Sequence, residues 1–155
     1  MAFKTSTTAQ DAYIELFDIS TPEIDHTLAH ELLVSKLNEV ALSLWSVPTE
    51  KHCVRDTLVF EVSKALMETK KYFRSLESNA PRDNEVEGRL VMLWGLAAIP
   101  IKLIDTELAI LLTERAEVWL HPEGWTQDEL VEFGNKLQIV SRTFMRLSFP
   151  ISVWH

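Results

Sequence analysis

The sequence predicts an all-α protein, a single-domain and mainly antiparallel bundle of about five or six helices. The chain of 155 residues is 46% hydrophobic and 25% charged but has only four glycines, a composition typical of a compact helical domain. Several segments also begin with helix-capping signatures and continue with apolar residues every three or four positions. No linker or internal repeat divides the chain. Residues 1–155 are therefore expected to form one domain, with residues 1–7 flexible.

The N-terminal third is expected to contain a short helix over residues 8–17 and a longer one after it. Ser20-Thr-Pro-Glu23 combines capping-box spacing with a proline in the first turn, which favours a helix start. We expect this helix to end near Val47-Pro48, because a proline disfavours the helical conformation of the residue before it. Its recurring apolar residues are Ile24, Leu28, Leu32, Leu37, Val40, Leu44 and Trp45.

A second long helix is predicted over about residues 50–77, with Thr49 as its cap. Its apolar positions alternate between spacings of four and three, the pattern of an antiparallel bundle seam. The seam consists of Leu58, Val62, Ala65, Thr69, Tyr72 and Leu76.

The stretch from Asn84 to Leu120 contains the most apolar segment of the chain. Asn84 and Glu87 repeat the capping spacing, and the segment from Arg89 to Ile99 is apolar on every face. Other helices or a partner chain must surround such a helix. Pro100 is expected to kink it or to split it in two, because proline lacks a backbone N–H.

The last helix is expected to follow the turn at residues 121–125. Thr126 and Glu129 form a third capping box, and Pro150 is expected to end the helix. Its seam again steps by three and four: Leu130, Phe133, Leu137, Val140, Phe144 and Leu147.

Charge and hydropathy argue against several classes of function. The net charge of −8 disfavours direct nucleic-acid binding, because that binding depends on clustered cations. The longest apolar run, Leu90 to Ile101, is too short to cross a membrane, and the N-terminus does not resemble a secretory signal. The single Cys53 cannot form an intrachain disulfide, which favours a reducing compartment and so the cytoplasm. We expect Cys53 to be a buried structural residue.

One helical face presents a candidate metal site at Glu23, His26 and His30, which stand at i, i+3 and i+7. The plainer interpretation is a pair of interhelical or solvent-facing histidines. The second Glu-x-x-His of a di-iron bundle and the His-Glu-x-x-His of a zinc hydrolase are both missing from the sequence. We therefore expect no cofactor, and the metal site remains an alternative.

Arg115 and His121 stand six residues apart, which is similar to the Arg-x(4–6)-His spacing of the HEPN ribonucleases. That resemblance implies an arginine that positions phosphate and a histidine that acts as a general acid or base. Ala116 follows where that family usually has a polar residue. The structural interpretation is a helix-end arginine and a turn histidine, so ribonuclease activity is kept as the alternative function.

Two short basic faces are candidates for binding an acidic partner or a phosphate, although solvated helix faces are commoner. They consist of Lys64, Lys70, Lys71 and Arg74 on the second helix, and Arg142 and Arg146 on the last. The chain also has five tryptophans, which suit either the core or an interface.

The central region resembles the mannitol operon repressor family over about 45 residues. The resemblance rests on Arg89-Leu-Val-Met-Leu-Trp-Gly-Leu-Ala-Ala-Ile99, on the Glu-Leu-rich segment from Glu107 to Arg115, and on the acidic turn from Trp125 to Leu130. It implies an all-helical bacterial regulator of sugar-alcohol uptake that represses through a protein partner. The matching positions are Arg89, Leu90, Trp94, Gly95, Leu96, Ile99, Glu107 and Leu108.

The function expected from the sequence is that of a non-enzymatic, cytoplasmic transcriptional repressor that acts through protein contacts and does not bind DNA directly. The candidate contact residues are Arg89, Trp94, Trp125 and Trp154. We also expect a two-fold homodimer, because the apolar helix and the apolar tail at residues 149–155 both need covering. The alternative is a monomer in which this tail folds back over its own bundle.

Overall fold

The computed structural model describes residues 25–46 and 52–148, and within these ranges the chain is an all-α bundle without strands, as the sequence predicts. These described ranges contain six helices: α1 (His26–Leu44), α2 (His52–Glu77), α3 (Asn84–Ile101), α4 (Thr106–Thr113), α5 (Ala116–Leu120) and α6 (Gln127–Ser148). None of the helices in this part of the chain is long and apolar enough to cross a membrane. The expectations for residues 1–24, 47–51 and 149–155 lie outside the described residues.

Aspartates cap three of the helices. Asp25 accepts a hydrogen bond from the backbone N–H of Leu28 and so begins α1, and Asp105 begins α4 in the same way. Asp83 caps α3, one residue before the expected cap, because its carboxylate reaches the first free N–H groups while Asn84 is already helical. The Thr126–Glu129 capping box at the start of α6 is confirmed in both directions, at 3.1 and 2.9 Å.

The long helices pack in an order that differs from their order in the chain. α6 lies between α1 and α2, and α2 in turn packs against α3. α4 turns back along α3, while α5 contacts α1. The predicted seams of α2 and α6 are confirmed, since every one of their side chains is buried.

The expected seam of α1 is partly wrong. Leu28, Leu32 and Trp45 are exposed, whereas Ala29 and Leu33 are buried. Each buried residue follows the expected one by a single position, which turns the helix by about 100°. Trp45 lies just beyond the last helical residue.

Pro100 divides the central region, one of the two expected outcomes. It occupies the last turn of α3, which ends at Ile101, and the chain then turns through residues 102–105 into α4. The expectation that α3 is surrounded holds for one side only. Trp94 and Ala97 are fully buried, but the opposite side is open to solvent.

Candidate functional site

Glu87 is a buried carboxylate near the start of α3, with only 1% of its surface exposed. Arg82, in the loop before α3, donates from Nη2 to Oε1 at 2.7 Å and from Nε to Oε2 at 3.0 Å. The hydroxyl of Tyr72 donates to Oε2, and Nδ1 of His121 lies 2.8 Å from Oε1. One side chain therefore joins α2, the loop before α3, and the turn after α5.

These donors keep the buried carboxylate ionised. Burial alone would raise the pKa of Glu87, but the hydrogen bonds from Arg82, Tyr72 and His121 outweigh it and bring the pKa down to about 2. Burial, followed by the hydrogen bond to Glu87, raises the pKa of Tyr72 to about 12. At neutral pH, Glu87 is therefore a carboxylate anion that accepts hydrogen bonds from both neutral and cationic donors.

His121 is the chemically versatile member of this cluster. A carboxylate only accepts hydrogen bonds, so Nδ1 of His121 carries the proton and Nε2 of a neutral ring can accept one. The side chain is 39% exposed, and its Nδ1 edge lies against Glu87. Arg115 lies at the other end of α5, about 9 Å away along the helix axis. The structure thus places the expected pair at opposite ends of one short helix.

His30 is a core residue. Its ring stacks on Phe133 with ring centroids 3.6 Å apart, and Nε2 lies 3.1 Å from the carbonyl oxygen of Trp119. Burial lowers the pKa of His30 to about 3, so the ring is neutral and Nε2–H donates to that carbonyl. This contact ties the first half of α1 to α5.

His26 lies one turn earlier, at the edge of the same aromatic cluster. Its ring stacks on Trp125 at 4.5 Å, and Nε2 is 2.9 Å from a carboxylate oxygen of Glu129. The third member of the candidate metal site, Glu23, lies outside the described residues. Among the residues that the structure does describe, no group of three His, Cys, Asp or Glu side chains is arranged to hold a metal ion.

The candidate contact residues occupy very different positions. Arg89 is exposed on α3, and Trp125 is half-buried. Trp94 lies in the core, fully buried, and its indole N–H donates to the hydroxyl of Thr69 at 2.9 Å. Trp154 lies outside the described residues.

Cys53 is exposed, contrary to the expectation of a buried cysteine. The seam of α2 begins at Leu58, and a residue five positions earlier points away from a seam that repeats every three or four residues.

The side of α2 opposite its seam carries a mixed basic and apolar stripe. Its members are all exposed, stand at alternating spacings of four and three, and will be called the basic face: Phe60, Lys64, Met67, Lys71 and Arg74. The ammonium group of Lys64 lies 5.4 Å from the centre of the Phe60 ring, within cation–π distance.

Cations from α6 extend the basic face. Lys70, beside the stripe on α2, donates to Gln138 of α6 at 3.1 Å. Burial, and then the nearby charges of Arg74 and Arg142, lower the pKa of Lys70. The basic residues that the sequence analysis singled out on the second and last helices therefore approach each other at the boundary between α2 and α6.

Sequence reasoning missed the Glu87 cluster, although one signal was present. Glu87 continues the buried stripe of α3, at the three- and four-residue spacing of Leu90, Trp94 and Ala97. A carboxylate on such a stripe requires a cation or several donors, since an unpaired buried charge is very costly.

Comparison of the chain with known protein families, with curated proteins and with solved structures gave no match.

Proposed function

We propose that this chain is a non-enzymatic regulatory protein that acts by binding another protein through its basic face. The observation that carries the proposal is the exposure of two large apolar side chains, Phe60 at 61% and Met67 at 59%, among cations. Apolar anchors surrounded by charge are typical of protein interfaces rather than of plain solvated helix faces.

The chemistry of this face favours an acidic amphipathic helix as the partner segment. No ion pair to a described carboxylate satisfies Lys71, Arg74 or Arg142, so these charges are available for acidic side chains. Anchors at positions 60 and 67 are two helical turns apart, which matches side chains at i and i+7 of a bound helix. The cations then select acidic residues along its rim.

Transcriptional repression of the mannitol-repressor type, in the cytoplasm and without direct DNA binding, is the cellular role we propose. Three features support it: the resemblance around Arg89–Ile99, the all-helical fold, and the net charge of −8. A negative field repels the DNA backbone, so repression is expected to require a protein intermediary.

Affinity capture from the native host with quantitative mass spectrometry tests the partner site. We expect the double variant Phe60→Glu, Met67→Glu to capture at least about tenfold less of one host protein than the wild type does. The reason is that removing two anchors costs over about 1.4 kcal/mol of binding free energy. Leu42→Glu on α1 is the control, because Leu42 is equally apolar and 66% exposed. Equal capture by the wild type, by the double variant and by Leu42→Glu would contradict the assignment of the partner site to the basic face.

A mobility-shift assay tests the absence of direct DNA binding. At physiological salt, the pure protein is expected to leave the operator DNA of any gene it controls unshifted. A specific shift by the protein alone would overturn this part of the proposal.

RNA cleavage is a second candidate function, favoured by one observation. Glu87 fixes His121 with Nε2 available and the ring partly exposed, the arrangement that a general base needs. Cleavage of RNA that disappears in the double variant Arg115→Ala, His121→Ala would establish it. A wild-type protein without cleavage activity would exclude it.

A further inference from the structure

We propose that a second copy of this chain packs on the outer side of α3 and α4 in a two-fold dimer. The outer side of α3 and the turn that follows it carry four large apolar residues at spacings of four, three and four. They are Met92, Leu96, Ile99 and Leu103, which are 62%, 43%, 66% and 76% exposed. Exposed apolar residues at near-heptad spacing are typical of the contact face of a helix pair. We therefore expect a second helix to cover this row.

A groove beside this row allows close approach. It runs between α3 and α4, has a volume of about 230 Å³, and is lined partly by Gly95, Ala98 and Ala109. A Cβ atom placed on Gly95 would meet no atom of the described residues within 4 Å. Packing among these residues therefore does not require the glycine, while small residues let the side chains of a second helix enter.

The ends of the groove carry opposite charges. Lys102, just after α3, lies at one end of α4, and Glu114 lies at the other. A two-fold axis reverses the direction of the groove from one copy to the other. Each Lys102 is then carried toward a Glu114, so the same charge pair forms twice.

The apolar row is complementary to itself under the same symmetry. When two α3 helices run antiparallel about a centre between Leu96 and Ile99, Leu96 of one copy faces Ile99 of the other. Met92 of one copy then faces Leu103 of the other. Each pair joins exposed apolar side chains and leaves no charge opposite them.

The outer surface of α3 and α4 is small for a protein interface. The 18 residues of α3 span about 27 Å and the eight of α4 about 12 Å, so at about 10 Å of width per helix they give roughly 400 Å² per copy. The total of about 800 Å² is the size of a weak, transient interface. We therefore expect a dimer that dissociates on dilution in the micromolar range.

Light scattering over a concentration series tests the dimer. The wild-type mass should rise from 17.8 kDa toward twice that value, and Ile99→Glu should raise the dissociation constant at least about tenfold. Leu42→Glu is matched to it, since both side chains are 66% exposed, and should leave dimerisation unchanged. A wild-type chain that stays at 17.8 kDa, or a dimer that tolerates Ile99→Glu, would overturn the proposal.

A charge-reversal pair identifies the interchain contact. Lys102→Glu and Glu114→Lys should each weaken their own homodimer, because each creates two like-charged pairs. Mixing the two variants should produce a heterodimer tighter than either homodimer, since both pairs become attractive. A contact within one chain cannot give this result, so mixtures without preferential heterodimer formation would overturn the assignment of these residues.

The dimer and the proposed function can fail separately. Phe60→Glu, Met67→Glu should dimerise normally, and Ile99→Glu should still capture the partner, because the two surfaces lie on different helices. If Phe60→Glu, Met67→Glu no longer dimerises, the dimer contact involves the basic face, and the assignment of the interface to α3 is wrong.

Discussion

At the scale of single residues, Glu87 has more influence on the structure than its size suggests. A buried ion pair often adds little net stability, because desolvation offsets the attraction between the charges. Removing one member of the pair is different, because the remaining groups keep the cost of burial without a partner. Glu87 accepts from donors in three separate segments, so its loss affects all of them.

Glu87→Gln should lower the free energy of unfolding by about 2–3 kcal/mol, since a neutral amide cannot serve all of these donors. Urea denaturation monitored by circular dichroism measures the change. Glu85→Gln, exposed in the first turn of the same helix, should cost less than about 1 kcal/mol. Equal losses in the two variants would show that Glu87 acts only as a helix-start charge.

At the scale of elements, the stability of α6 depends on the hydrogen bonds of its first turn. It lies between α1 and α2, and its capping box satisfies N–H groups that would otherwise lack partners. Because α6 contacts both long neighbours, fraying at its start also loosens the contacts around Trp125 and His26.

Thr126→Ala should therefore destabilise the protein by about 1 kcal/mol, the usual loss for an N-cap hydroxyl. Thermal unfolding followed by calorimetry is suited to this comparison. Thr126→Ser keeps the hydroxyl and should stay within about 0.5 kcal/mol of the wild type. If serine and alanine unfold at the same temperature, the capping bond does not contribute.

Most elements could be predicted from the sequence because periodicity and caps are local signals. The α2 and α6 seams came directly from spacing, and Pro100 marked the division before α4. The correct stripe of α1 could not be chosen, because Leu28 and Leu33 are chemically alike and only packing on α6 and α5 distinguishes them. The Glu87 cluster is assembled from segments distant in sequence, so no local pattern specified Tyr72 and His121 as its partners.

At the scale of the whole molecule, His30 makes stability depend on pH. The unfolded chain binds a proton at this residue below pH 6.5, whereas the folded chain does so only near pH 3. The unfolded state therefore binds more protons between these values, and stability falls as the pH falls. Glu87 adds a separate loss below pH 4.5, as the pH approaches its folded pKa of about 2.

Between pH 7 and pH 5, His30 should contribute a loss of about 2 kcal/mol, at 1.4 kcal/mol for each pH unit below 6.5. His30→Gln does not titrate and should show a flatter profile over this range, even if its stability at pH 7 is lower. Chemical denaturation at intervals of half a pH unit gives both profiles. Parallel profiles for the two proteins would assign the pH dependence to other groups.

The placement of α1 beside α5 and α6 also bears on the order of events during protein synthesis. When the ribosome has produced α1, the helices that cover its apolar stripe are still to come, since α5 ends about 75 residues and α6 about 105 residues further along the chain. At 5–20 residues per second, that stripe stays uncovered for roughly 5–20 seconds. α2 and α3, which are neighbours in both sequence and space, can associate during this interval. Closure of the bundle is therefore expected to follow translation of α6, with the nascent α1 exposed to chaperones until then.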